Sequence, residues 1–172
     1  RRRLRQHRKI LIVKTTALCL TLALLATAGA GRADEAADIR RAEQLVNGRC
    51  ALCHGANGES SSPLYPKIAG QHPEYIVKQL RNFKAGERDS NDMRKVAPDL
   101  GESDIAALAA FLGRQKPASG KSAFPEMRAL GEKLYTQGNG ETGVPPCIKC
   151  HHPQGAGSKS LPRLAGQHAL YI

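Results

Sequence analysis

Large rings are scarce in these 172 residues: there is no Trp, and only three Phe, four Tyr and two Met. With 17 Gly and 10 Pro besides, side chains alone cannot fill a sizeable core, so a second source of apolar bulk is expected. Acidic residues are missing from the first 33 positions, which hold eight basic ones (Arg1, Arg2, Arg3, Arg5, Arg8, Lys9, Lys14 and Arg32). The formal charge of +11 is therefore concentrated at the amino terminus. From Asp34 onward 18 basic residues face 15 acidic ones, a near balance that excludes a polycationic nucleic-acid binder. A bilayer-length apolar run is lacking too: residues 15–30 are sixteen without charge, short of the roughly 20 that span a membrane. No segment sustains period-two alternation, which argues against strands.

What the amino terminus does hold is ordered. Seven positive charges lie in residues 1–14, Leu18, Leu20, Leu22, Leu24 and Leu25 make the next stretch apolar, and small residues follow. Basic, apolar and small-residue regions in that order form a secretory signal. We expect a signal peptide over residues 1–33, cut between Ala30 and Asp34, and a periplasmic product; a retained membrane anchor is the alternative. Cys19 falls inside the apolar region and is expected to be removed with it.

Four cysteines remain, and their spacing argues against two disulfides. Cys50-Ala51-Leu52-Cys53-His54 and Cys147-Ile148-Lys149-Cys150-His151 are both C-x-x-C-H, the attachment motif of c-type haem. Two thiols one helical turn apart can each add to a vinyl group of one haem, and the adjoining His becomes the proximal iron ligand. A zinc ribbon would set its two pairs about 15–20 residues apart, whereas Cys53 and Cys147 are separated by 93 residues. Two covalently attached haems are therefore expected, held by Cys50, Cys53, Cys147 and Cys150, with His54 and His151 on the irons. A haem is also the large flat apolar body that the composition lacks.

The duplication extends past the motif. Pro66-Lys67-Ile68-Ala69-Gly70-Gln71-His72 matches Pro162-Arg163-Leu164-Ala165-Gly166-Gln167-His168 at an offset of 96, against 97 for the haem motifs. The second loop is thus one residue shorter, and the whole reads as one haem module repeated in tandem. Ile39, Ala42, Leu45 and Val46 line a helix running toward Cys50. Pro73 opens another, striped by Ile76, Leu80 and Phe83 and ended by Gly86. Ile105, Leu108, Ala109 and Leu112 follow Gly101 at helical spacing, and Pro125 opens a helix through Tyr135. The expected organisation is a first domain over residues 34–116, a linker over 117–123 and a second domain over 124–172.

A second iron ligand must come from elsewhere. Met93 stands in a polar Ser90-Asn91-Asp92 loop, where an apolar core role makes little sense, so a thioether ligand is expected there. Met127, three residues before Leu130, reads instead as a packing residue. His72 and His168, each ahead of a helix start, read as capping or solvent-exposed, and His152, beside His151, as a surface residue.

At this point the residues resemble the dihaem class I cytochromes c of the c4 type, and related short periplasmic cytochromes. The resemblance covers Ala42 to Ile172 and rests on Cys50/Cys53/His54, the Pro-x-x-Ala-Gly-Gln run, Gly86, Arg88, Asn91-Asp92-Met93 and the helix Asp104–Ala109. It implies an all-α fold of two tandem class I domains, with Met93 as distal ligand of the first haem. It also implies that the carbonyls of Pro66 and Pro162 accept the proximal histidines' Nδ1–H. Ile172 is the equivalent of Ile76, so the counterpart of residues 77–113, with a second Met, is expected further along the frame. The loop from Gly86 to Met93 is shorter than in many members.

The function so implied is that of a periplasmic electron carrier and not an enzyme, passing single electrons from a quinol-oxidising complex or dehydrogenase to a terminal oxidase or reductase. The rivals are a dihaem peroxidase, which needs an open sixth position and acid–base groups, and a cytochrome subunit held in a membrane oxidase or dehydrogenase.

Overall fold

The structure, a computed structural model, describes residues 34–119 and 124–172; the expected signal peptide and its cleavage site lie outside the described residues. The chain divides into two units, one ending at Asp38 and the other covering Ile39–Ile172. In the first, residues 34–38 are helical. The second carries both C-x-x-C-H motifs.

Among the described residues there are helices and no strands, only an isolated antiparallel bridge between Asn139 and Val144. Helix α1 covers residues 34–45 and widens into a π-type turn at Val46–Cys50, followed directly by α2 (Ala51–His54). Helix α3 (Pro73–Ala85) begins on the predicted proline and stops at Gly86, whose left-handed φ of 75° suits a residue without Cβ. Helix α4 (Met93–Val96) is a single turn, and α5 (Glu102–Gly113) packs against α3. Asp104 anchors the start of α5: its carboxylate accepts the Gly101 N–H at 3.1 Å and the Arg41 guanidinium at 2.5 Å. The Arg41 contact holds the Asp104 carboxyl below its ordinary range.

The core is small, as the ring-poor composition requires. Ala42, Val46, Ile76, Leu100, Ile105, Leu108, Phe111 and Leu112 form it, all of them N-terminal to residue 113. In the second module a 3-10 turn at Pro125–Met127 leads into α6 (Arg128–Gln137), and α7 (Ile148–His151) carries the second motif. No residue of α6 is buried, and Met127 is 51% exposed. The packing role expected of Met127 is therefore not realised among the described residues, where the helix that follows it is only partly covered, at Leu134 and Tyr135.

Glu59 is the residue that has no counterpart in the shorter second loop. Its carboxylate takes Lys67 at 3.1 Å and the Ala118 N–H at 2.9 Å. The chain leaving α5 is thereby threaded between two equivalent turns. A Cβ on Gly70 would lie 2.5 Å from Pro117 Cδ, and one on Gly166 would lie 2.8 Å from the Ala118 carbonyl oxygen.

Candidate haem site

Each motif is presented by one helical turn closing on a residue with positive φ, Gly55 at 73° and His152 at 63°. The first turn places Cys50, Cys53 and His54 together, the second Cys147, Cys150 and His151. All four thiols are free. Burial pushes the Cys50 thiol up.

The two histidines are held alike. His54 Nδ1 lies 2.8 Å from the Pro66 carbonyl oxygen, and His151 Nδ1 lies 2.9 Å from that of Pro162. A carbonyl only accepts, so Nδ1 carries the proton and the lone pair is on Nε2, the atom a metal would take. Burial also lowers the His54 pKa, with the Pro66 bond opposing it in part, which favours the neutral ring at neutral pH.

The proline carbonyls owe their position to glycines. Gly58 O accepts the N–H groups of Ile68 and Ala69 at 2.9 and 3.1 Å, and Gly155 O accepts those of Leu164 and Ala165 at 2.8 and 3.0 Å. Each Pro-x-x-Ala loop is thereby pinned against the turn that follows its haem motif.

Tyr65 belongs to the first site and was not singled out from sequence. Its ring stands edge-on to His54, with centroids 6.4 Å apart. The Cys53 sulfur, first by charge and then by hydrogen bond, raises the phenol's pKa, and the Asp92 carboxylate adds to the effect. Asp92 immediately precedes Met93, so the Met93 loop borders the same face as Cys53. Met93 itself is half-buried at the start of α4, its N–H donated to Ser90 Oγ at 3.2 Å. The signal for Tyr65 was its place before Pro66; the second module has Leu161 there.

His72 and His168 correct the sequence reading. His72 holds the N-cap position of α3, its carbonyl accepting the Ile76 N–H at 3.0 Å, but its side chain makes no capping bond, and neither histidine is exposed. His72 Nε2 lies 2.8 Å from the Ala156 carbonyl oxygen and His168 Nε2 lies 3.0 Å from that of Ser60. These contacts are reciprocal under the repeat offset of 96, so each module reaches into the other. His152 is exposed, as expected.

This donor chemistry fits a covalently held haem: paired free thiols, and an adjoining neutral imidazole with Nε2 directed away from its backbone partner. No group of three or more His, Cys, Asp or Glu gathers among the described residues to hold a bare metal ion. Comparison with known proteins agrees. A family model described as cytochrome c oxidase, cbb3-type, subunit III, matches residues 37–112. Cytochrome c4 of Thiocapsa roseopersicina is 46% identical over 142 residues, covering 81% of this chain and 73% of the relative. The chain belongs to the cytochrome c4 family. Reduced recombinant cytochrome c4 from Pseudomonas stutzeri superposes with a TM-score of 0.70 at 34% identity, covering 77% of this chain and 74% of that one. A thiosulfate dehydrogenase electron acceptor from Thiomonas intermedia is 37% identical over 127 residues, covering 72% of this chain and 58% of the relative. As a member of the cytochrome c4 family the chain is an electron-transport cytochrome of two class I domains with two covalently bound haems c. No helix among the described residues is long and apolar enough to cross a membrane.

Proposed function

We propose that this cytochrome is a periplasmic single-electron carrier with two domains, at residues 34–116 and 124–172, joined by a linker at 117–123. Cys50 and Cys53 hold the first haem and Cys147 and Cys150 the second; His54 and His151 are the proximal ligands, and Met93 is the distal ligand of the first. The observation that carries this is the duplicated bond from histidine Nδ1 to a proline carbonyl beside a pair of free thiols. Each haem, when bound, supplies a one-electron ferric/ferrous couple. The protein's part is to hold each imidazole in one tautomer and one plane, so that ligation is kept through the change of charge. Tyr65 shields one flank of His54 from water.

Its donor is a quinol-oxidising complex or a dehydrogenase, and its acceptor a terminal oxidase or reductase. A relative named as a thiosulfate dehydrogenase electron acceptor supports the dehydrogenase among these donors. Carrier function also accords with the charge: residues 34–116 hold 12 basic and 12 acidic side chains, so partner docking does not rest on a dominant basic face.

The deciding experiment is mass spectrometry of the acid-acetone-extracted protein, with the ferric near-infrared spectrum of the native and Met93→Ala proteins. Two retained haem masses are expected, together with a sulfur-to-iron band that Met93→Ala removes from the first haem. One haem or none refutes the attachment; a band unchanged by the substitution refutes Met93 as ligand. Peroxide turnover at an open iron would favour the peroxidase reading.

A further inference from the structure

The proline carbonyls that fix the proximal histidines belong to peptide groups whose other end is not free. The Pro66–Lys67 peptide accepts His54 Nδ1–H on its oxygen at 2.8 Å and donates its N–H to Gln167 Oε1, a side chain of the second module, at 3.0 Å. The Pro162–Arg163 peptide does the same in mirror image, accepting His151 Nδ1–H at 2.9 Å and donating to Gln71 Oε1 of the first module at 2.8 Å. Each glutamine is locked in orientation. Gln167 Oε1 also accepts its neighbour's His168 N–H at 3.0 Å while its Nε2 donates to the Lys67 carbonyl at 2.9 Å. Gln71 repeats this with the His72 N–H at 3.1 Å and the Arg163 carbonyl at 3.1 Å. Gln71 is buried, so water does not compete for its bonds.

We infer that Gln71 and Gln167 are positioning residues that act across the module boundary, each setting the donor strength of the proximal histidine in the other module. Hydrogen bonds in series polarise one another, by about 10–30% per bond in condensed phase. Accepting the Lys67 N–H makes the Pro66 oxygen more negative, and a more negative oxygen draws the Nδ1 proton of His54 and enriches the ring in electrons. An electron-rich imidazole favours the ferric state. The tuning is crossed: Gln167 acts on His54, and Gln71 on His151. Separation of the modules then releases both rings at once. The Gly-Gln-His repeat has this second use beyond joining the halves, and the His72 and His168 side chains supply bonds that join without touching the relay.

The inference rests on His54 and His151 being the iron ligands, and the test separates the two ideas. The full haem-loaded chain is prepared as the native protein and as Gln167→Met, Gln167→Glu, Gln71→Met and His168→Ala. Proton–nitrogen NMR of the ferrous state follows the Nδ1–H of each ring, His54 being identified by its contact with Tyr65, and spectroelectrochemistry follows each haem. Gln167→Met is expected to shift the His54 Nδ1–H upfield and to raise the ferrous-to-ferric ratio of the first haem about two- to tenfold at fixed potential. Tenfold corresponds to about 59 mV in a one-electron couple. His151 and the second haem should stay near native values. Gln71→Met should give the opposite assignment, and Gln167→Glu, which keeps an acceptor for Lys67 N–H, should bring His54 back toward native. His168→Ala removes a bond between modules but leaves the relay, so neither ring should follow the crossed pattern. Changes confined to the substituted module, or equal at both haems in Gln167→Met and His168→Ala, would overturn the relay. Absence of haem ring-current shifts on His54 would instead refute the ligand assignment beneath it. Should Gln167→Met fail to take up haem, Gln71→Met tests the mirror relay on its own.

Discussion

Gly58 and Gly155 are the same residue in two copies of one module, and substituting each with Ala separates two costs that are normally entangled. Both have positive φ, 84° and 65°, and both present a carbonyl to two N–H groups of the proline loop. An L-residue there costs about 1–2 kcal/mol in backbone strain in either copy. The surroundings differ. A Cβ on Gly58 would lie 2.8 Å from Ile68 Cγ1, 2.9 Å from Ala69 N and 3.0 Å from Leu112 Cδ2. On Gly155 the nearest atom is Ala165 N at 3.2 Å, with no other module atom nearer than 3.6 Å. Overpacking into the buried core around Leu112 adds about 1–3 kcal/mol for Gly58 alone. Gly58→Ala should therefore cost roughly 2–5 kcal/mol and Gly155→Ala roughly 1–2. Guanidinium unfolding of the haem-loaded protein, followed by far-ultraviolet circular dichroism, should show midpoint losses of about 0.5–1 M and about 0.3–0.5 M, with slopes unchanged. Because Gly58 also seats the loop bearing Pro66, its variant should weaken the His54 Nδ1–H bond as well. Equal losses in the two variants, or a larger loss at Gly155, would refute the reasoning.

Cys50→Ser with Cys53→Ser should remove one haem mass and, because the first core is small without it, should also cost most of the helical signal of α3 and α5, read by circular dichroism. Asp104→Asn should lower stability at neutral pH by about 1 kcal/mol, since the charge facing Arg41 is lost while an acceptor for Gly101 N–H remains. Asp104 is depressed from its ordinary 3.8 in the folded state, so native stability from this pair is complete above that value and fades as pH falls through the lower folded one. The gap between native and variant melting points should close over that acidic window. Electron transfer with partners should slow only moderately between low and physiological salt; a fall of several decades would contradict the balanced charge of residues 34–116.

Much of the site was legible because covalent chemistry imposes spacing. Two thiols and a histidine must fall within one helical turn, and that constraint is local enough to read directly. Pro66 and Pro162 were reachable through the repeat and the family resemblance together. The π-type turn before Cys50 carries no sequence signature, since Asn47 and Gly48 suit several backbone shapes. Tyr65 escaped because its loop has no period to show which way a ring points. The roles of His72 and His168 escaped for a different reason. A tandem repeat says that two modules are alike, but not that they face one another. The sequence pattern that encodes facing is reciprocity: residue 72 meets 156 while 168 meets 60, both pairs related by the offset of 96. A Gly-Gln-His turn repeated with its partners at the same offset is the trace such a face leaves, and it becomes readable only when the pairs are considered together.

That reciprocity also bears on how the two modules support each other. Every buried apolar residue among those described lies N-terminal to residue 113, and α6 buries none. The loop at residues 162–168 must therefore draw its order from elsewhere. It draws it from Gly155 within its own module, from Gln71 in the other and from the chain at Pro117–Ala118. The first module thus acts as a template against which the second module's proline loop is set. Two closed helical domains joined by a flexible tether would keep their ligand geometries independent of one another. Here the peptide that orients each imidazole is also a peptide of the shared face, so neither module can shift against its twin without disturbing the bond that fixes its own proximal ring.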